Sequence, residues 1–174
     1  LAQQIGERNL WHYSELTDAA TYIHNTFTTY GYVPNTQAYV SQGKTVKNIA
    51  IERVGNTLPQ EILVVGAHYD SVSGTVGADD NASSIAVQLE TARSLNALFD
   101  QAPPDLAVTF VSFALEEPPA YGTRHMGSRV FAAKSWATAT PLKPHSSMPL
   151  RSTLMVRGSV ALRNFIAAQV PALK

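Results

Sequence analysis

Apolar residues recur with a helical period early in the chain and then switch to the patterns of strands. Leu16, Ala19, Ala20, Ile23, Phe27 and Tyr30 fall three or four positions apart, so they share one face of a helix that Ser14 or Thr17 starts and Gly31 ends. QAYVSQ and TVKNIAIERVG read as two strands around the turn residues Gly43 and Lys44. EILVVGAHYD is a near-continuous apolar run closing on polar residues, the pattern of a buried central strand. Helical spacing returns from Asn81 to Phe99, with Ile85, Leu89, Ala92, Leu95 and Phe99 on one face. After the Pro103-Pro104 break, LAVTFVSFALEE reads as a second buried strand and MGSRVFAAKSWA as a short helix. Strands alternating with helices predict a layered α/β domain, in which ligand sites gather beyond the carboxyl ends of the strands. Both apolar strands carry their charged residues at that end.

Composition narrows the picture. A chain of 174 residues that is 45% apolar and 15% charged suits one folded domain rather than a disordered segment. No apolar run approaches the roughly 20 residues of a bilayer crossing, and a net charge of zero gives no support to a nucleic-acid binder. Without cysteine there is no thiolate chemistry and no disulfide. The neutral total hides an asymmetry: all 13 acids lie between Glu7 and Glu117 with only five basic residues among them, whereas eight basic residues and no acid follow. The stretch KSWATATPLKPHSSMPLRST is rich in Pro, Ser and Thr and lacks a sustained period. These shifts divide the chain into residues 1–134 and an acid-free tail, 135–174. The chain opens at Leu1 without a signal-peptide pattern, so its natural start is expected to lie upstream.

Three segments hold the candidate chemistry. His68 and Asp70 stand two apart, and on an extended chain they share a face. They read either as a metal-binding imidazole with the carboxylate that orients it, or as a polar strand end entering a turn. Asp79-Asp80-Asn81 sits where a loop enters a helix; capping accounts for one of the acids, while a carboxylate is also able to bridge two metals about 3.5–4 Å apart. Asn81-Ala82-Ser83 matches a glycosylation sequon, though a helix start leaves little room for a sugar. Glu116 and Glu117 close an apolar strand, where neighbours point to opposite faces and take different tasks, one on a metal and one on protons.

VVGAHYDSVSGTVGADDNASSIAVQLETARSL, followed by FVSFALEEPPAYGTRHMGSRVFA, closely resembles the zinc aminopeptidases of the bacterial leucyl aminopeptidase and glutamate carboxypeptidase type. The likeness runs from about Ile5, within IGERN, to Lys134. It implies a three-layer α/β/α sandwich with a mostly parallel mixed sheet, incomplete at the C-terminus of this chain. It also implies two zinc ions: His68 as ligand of one, Glu117 of the other, Asp80 bridging both, Asp70 behind His68, and Glu116 as general base. A cis peptide after Asp80 belongs to the same pattern. The implied reaction is hydrolysis of the N-terminal peptide bond of a peptide or small protein. No nucleic-acid partner or membrane span is expected, and the sequence does not reveal the oligomeric state. The compartment is unknown, with a secreted or periplasmic setting allowed by the frequent export of relatives.

The tail departs from that pattern. Family members supply one further ligand per metal from later segments, but Met155 stands where the carboxylate is needed, and neither His125 nor His145 has the context of the last ligand. Each metal thus keeps two ligands by matching, with Asp80 shared, and a reading-frame slip after about Lys134 is the expected cause. Translation of the other two frames tests this. Competing readings are a related di-zinc carboxypeptidase or deacylase, a single-zinc glutaminyl cyclase of the same architecture, and a non-catalytic binding module.

Overall fold

The computed structural model describes residues 1–138, with side chains through Lys134. Elements follow in the order α1 (Tyr13–Thr29), β1 (Asn35–Ser41), β2 (Lys44–Arg53), β3 (Leu58–His68), a kinked turn (Ala78–Ala82), α2 (Ser83–Gln101), β4 (Leu106–Phe113) and α3 (Gly127–Thr138). Met155 and His145 lie outside the described residues. Of the segment 135–174, only the last backbone turn of α3 is described.

Helix α1 buries the expected stripe of Leu16, Ala19, Ala20, Ile23 and Phe27. Neither Ser14 nor Thr17 starts it, since both lie within the helix and Thr17 Oγ1 donates to the carbonyl of Tyr13. Asn9 Oδ1 instead accepts the amides of Trp11 and His12 just ahead of the first turn. Gly31 ends the helix at φ +86°, with its amide on Thr28 O and that of Tyr32 on Phe27 O. Those two bonds satisfy carbonyls that the last turn leaves free.

The four described strands form a mixed sheet in the order β1-β2-β4-β3. A two-residue turn at Gln42-Gly43, both at positive φ, joins β1 to β2 and matches the twist of an antiparallel pair. β2 runs antiparallel to β4, and β4 parallel to β3, so the parallel register is confined here to one pair. EILVVGAHYD is not central among the described strands. β3 lies at the sheet edge, where Leu58 and Ile62 are about half exposed because no described strand covers its outer side. Pro59 sits in that edge, where a missing N–H costs no ladder bond.

Alternation along the strands assigns the layers. Ile49 and Ile51 pair in register with Ser112 and Phe110, and this face packs against α1 and α2. Gln88 of α2 ties it down, donating to the carbonyls of Val65 and Val111 and accepting from Ser112 Oγ. The opposite face presents Asn48 and Phe113 to α3, through Asn48 Nδ2 to Gly127 O and an edge-on contact of Phe113 with Phe131. Helices therefore cover both faces of a mixed sheet, the three-layer arrangement expected. No helix among the described residues is long and apolar enough to cross a membrane.

Candidate metal centre

The parallel β3–β4 pair brings His68 level with Phe113, so both chains leave the sheet side by side. Beyond this rim three segments converge: His68-Tyr69-Asp70, the turn Ala78–Ala82, and the loop Ala114–Glu117. The glutamates are not on the strand. β4 ends at Phe113, and Leu115 takes a left-handed φ of +56° that turns the chain across the end of β3.

Asp70 explains that path. Its side chain is 1% exposed, and its two oxygens accept the amides of Glu116 and Glu117, each at 3.0 Å. A carboxylate taking two backbone N–H groups is a strong, geometrically specific anchor. Asp70 therefore sets the backbone of both glutamates as well as standing 3.4 Å from His68 Nδ1. That last pair is not aligned as a hydrogen bond, and Nδ1 is left buried without one.

His68 Nε2 points the other way, 3.0 Å from Asp80 Oδ1 and 3.7 Å from Glu116 Oε2. His68, Asp80 and Glu117 each offer a ligand atom within 4.8 Å of the other two. One imidazole nitrogen and two carboxylate oxygens are donors that zinc accepts, with bonds of about 2.0–2.2 Å. A tetrahedral ion with such bonds separates its ligands by about 3.3 Å, so the donor set fits. Asp79, next to the bridging candidate, is exposed and outside the group. His125 sits in the loop before α3, where its Nε2 accepts from Arg124 Nε. It is not part of the group either.

The electrostatics point the same way. Burial works against a charge on His68, but the adjacent carboxylate of Asp70, followed by the charges of Glu116 and Asp80, raises its pKa to about 9. Glu117 is pushed up to about 7 by burial and then by the charge of Asp80. Carboxylates crowded about one imidazole favour any added positive charge. A proton and a metal cation therefore compete for the same atoms, and bound cation gains as pH rises towards about 9 at His68 and about 7 at Glu117.

The turn that delivers Asp80 is tightly built. The Asp80-Asn81 peptide is cis, and Asn81 is buried, which leaves its sequon no access to a glycan. Gly77 is required at φ +50°, because a Cβ there would meet Asp80 O and Ser71 Cβ, both at 2.6 Å. Helix α2 then starts at Ser83 rather than Asn81, since Asp80 and Asn81 are held in non-helical conformations.

Two buried residues had no part in the sequence reading of the site. Arg8 is fully buried, and its guanidinium donates only to backbone carbonyls, those of Gly6, Tyr69, Val76 and Gly77. Asn48, also fully buried, accepts the amide of Ala114 and donates to Gly127 O, fixing the start of the Glu116-Glu117 loop. A polar residue at an inward position of VKNIAI is the one signal that marks Asn48.

Comparisons with known proteins bear on this geometry. The family model described as peptidase family M28 matches residues 48–142. The uncharacterized protein YfbL of Escherichia coli strain K12 is 36% identical over 141 residues, 76% of this chain and 42% of that protein. Aminopeptidase YwaD of Bacillus subtilis strain 168 is 39% identical over 77 residues, 44% of this chain and 16% of that protein. Among solved structures, a glutaminyl cyclase from Macrostomum lignano superposes with a TM-score of 0.64 at 24% identity, over 82% of this chain and 45% of that one. The last likeness speaks to the fold alone. The chain spans less than half the length of each of these relatives.

Proposed function

The chain belongs to peptidase family M28, and from that premise we propose that it serves a zinc-dependent aminopeptidase, with His68, Asp80 and Glu117 as metal ligands and Glu116 as general base. One observation carries this reading: three donors from three separate segments meet within 4.8 Å at the carboxyl ends of β3 and β4. The name of aminopeptidase YwaD, similar over the segment with 39% identity, supports the reaction class.

When bound, zinc polarises the scissile carbonyl and lowers the pKa of water towards about 7. Glu116 stands beside the triad, with Oε2 3.7 Å from His68 Nε2, and takes the proton of the attacking water before delivering it to the departing amine. Asp70 keeps Glu116 and Glu117 in fixed register through their amides. The surplus of carboxylates around His68 gives the free α-amine of a substrate complementary charge, the basis for preferring chain ends. In this reading His68, Asp80 and Glu117 would hold the zinc, which would supply the Lewis acid for the reaction.

Assay of zinc-supplemented protein, expressed from its own gene, tests the reading against its rivals. Release of amine from amino-acid anilides is the expected result. Hydrolysis of N-acyl amino acids alone points to a carboxypeptidase or deacylase, and cyclisation of N-terminal glutamine alone to a cyclase. Either of those outcomes overturns it.

A further inference from the structure

We infer that Arg8 is a positioning residue: its guanidinium ties Tyr69, next to His68, to Val76 and Gly77, where the turn that carries Asp80 begins, and so sets the distance from Asp80 to His68. The inference rests on the reading of His68, Asp80 and Glu117 as a cation site.

Arg8 lies far from these residues in sequence, yet it bonds to the chain just after His68 and just before the turn that carries Asp80, two of the approaches to the site. On one side its backbone pairs with Ser71, next to Asp70: the Arg8 amide donates to Ser71 Oγ and the Ser71 amide to Arg8 O. Its Nε donates to the carbonyl of Tyr69 at 2.6 Å. On the other side one terminal nitrogen donates to Val76 O and the other to Gly77 O at 2.8 Å. Gly77 O is the pivot, because it also accepts the amide of Ala82, 3.0 Å away. Arg8 thus reaches through one carbonyl to the far side of the Asp80-Asn81 pair.

The chemistry of the side chain suits this task. Three carbonyls that converge from one loop need a planar, divergent set of donors, which guanidinium has and ammonium lacks. The fork donates to no carboxylate, although four of them stand at the site above it. Its part is to hold backbone. A side chain at Gly77 would crowd this arrangement as well, since a Cβ there would come within 3.2 Å of the guanidinium.

Arg8→Lys is the test, with Tyr32→Phe as a control that removes a buried hydrogen bond to Ala92 O elsewhere in the fold. Two readouts are taken on metal-stripped protein: zinc affinity by chelator competition, and amide hydrogen exchange by peptide. Arg8→Lys is expected to weaken zinc at least 10-fold and to speed exchange in residues 71–82 while β1 and β2 keep their protection. Tyr32→Phe is expected to lower Tm without moving zinc affinity. Unchanged zinc affinity in Arg8→Lys, or faster exchange spread evenly over the chain, overturns the inference. Should Arg8→Lys fail to fold, Ser71→Ala removes the bonds of Ser71 Oγ to Arg8 N and Thr75 O and is expected to act in the same direction, about 3-fold. If the unaltered protein binds no zinc, the cation reading itself fails, and exchange in residues 71–82 alone decides whether Arg8 clamps the loop.

Discussion

Replacing Glu116 by Gln is expected to lower kcat for anilide hydrolysis by about 10²–10⁴-fold, the usual worth of a positioned general base, with zinc still bound. The amide of Gln is nearly the same size as the carboxylate, so the backbone bonds from Asp70 to positions 116 and 117 survive. What is lost is the capacity to accept a proton. Glu116 lies near His68 Nε2 but outside the group of three donors, which is why turnover and metal content separate. Steady-state kinetics with zinc analysis on the same sample checks this. Equal loss of zinc and activity assigns Glu116 to the ligands instead.

A second large effect is expected far from any proton transfer. A Cβ at Gly127 would stand 2.1 Å from Ala114 O and 2.5 Å from Asn48 Oδ1. Neither is the free end of a flexible chain: Ala114 O accepts the Gly127 amide, and Asn48 Oδ1 accepts the Ala114 amide. Gly127→Ala must therefore push α3 away from the sheet or break this network. The expected loss is about 3–5 kcal/mol, at the upper end for one substitution, against a total of about 5–15 for a domain. Thermal unfolding of the variant is the check, with Tm lower by roughly 10 °C or more. Because Ala114 leads into Leu115 and Glu116, the protein that remains folded is also expected to bind zinc less tightly.

The periodic elements were legible in the sequence because each is decided by local pattern. The α1 stripe and the apolar run of β4 stand where the spacing puts them, and the β1–β2 hairpin forms one residue earlier than Gly43-Lys44, at Gln42-Gly43, because Lys44 pairs with Ser41. The misreadings fall where a distant residue decides the outcome. The apolar run before them makes Glu116 and Glu117 read as strand residues, but Asp70, 46 and 47 residues away, captures both amides and draws them into a loop. Asn81 has the makings of a helix cap, yet Asp80 and Asn81 are held in non-helical conformations and delay the helix to Ser83. Ser14 and Thr17 offered capping oxygens, while Asn9 took that place from outside the helix. Arg8 was invisible as a site residue, because nothing in its own surroundings in the chain tells of carbonyls more than 60 positions on.

The central claim is that His68, Asp80 and Glu117 hold a divalent cation. The most direct measurement is chelator-competition titration of zinc into metal-stripped protein, compared with His68→Ala, at several pH values from about 6 to 9. Saturable binding that strengthens with pH, as protons leave Glu117 and then His68, and that weakens roughly 100-fold or more in His68→Ala, is the predicted result. Zinc affinity that is the same in both proteins, or that does not respond to pH, contradicts the account.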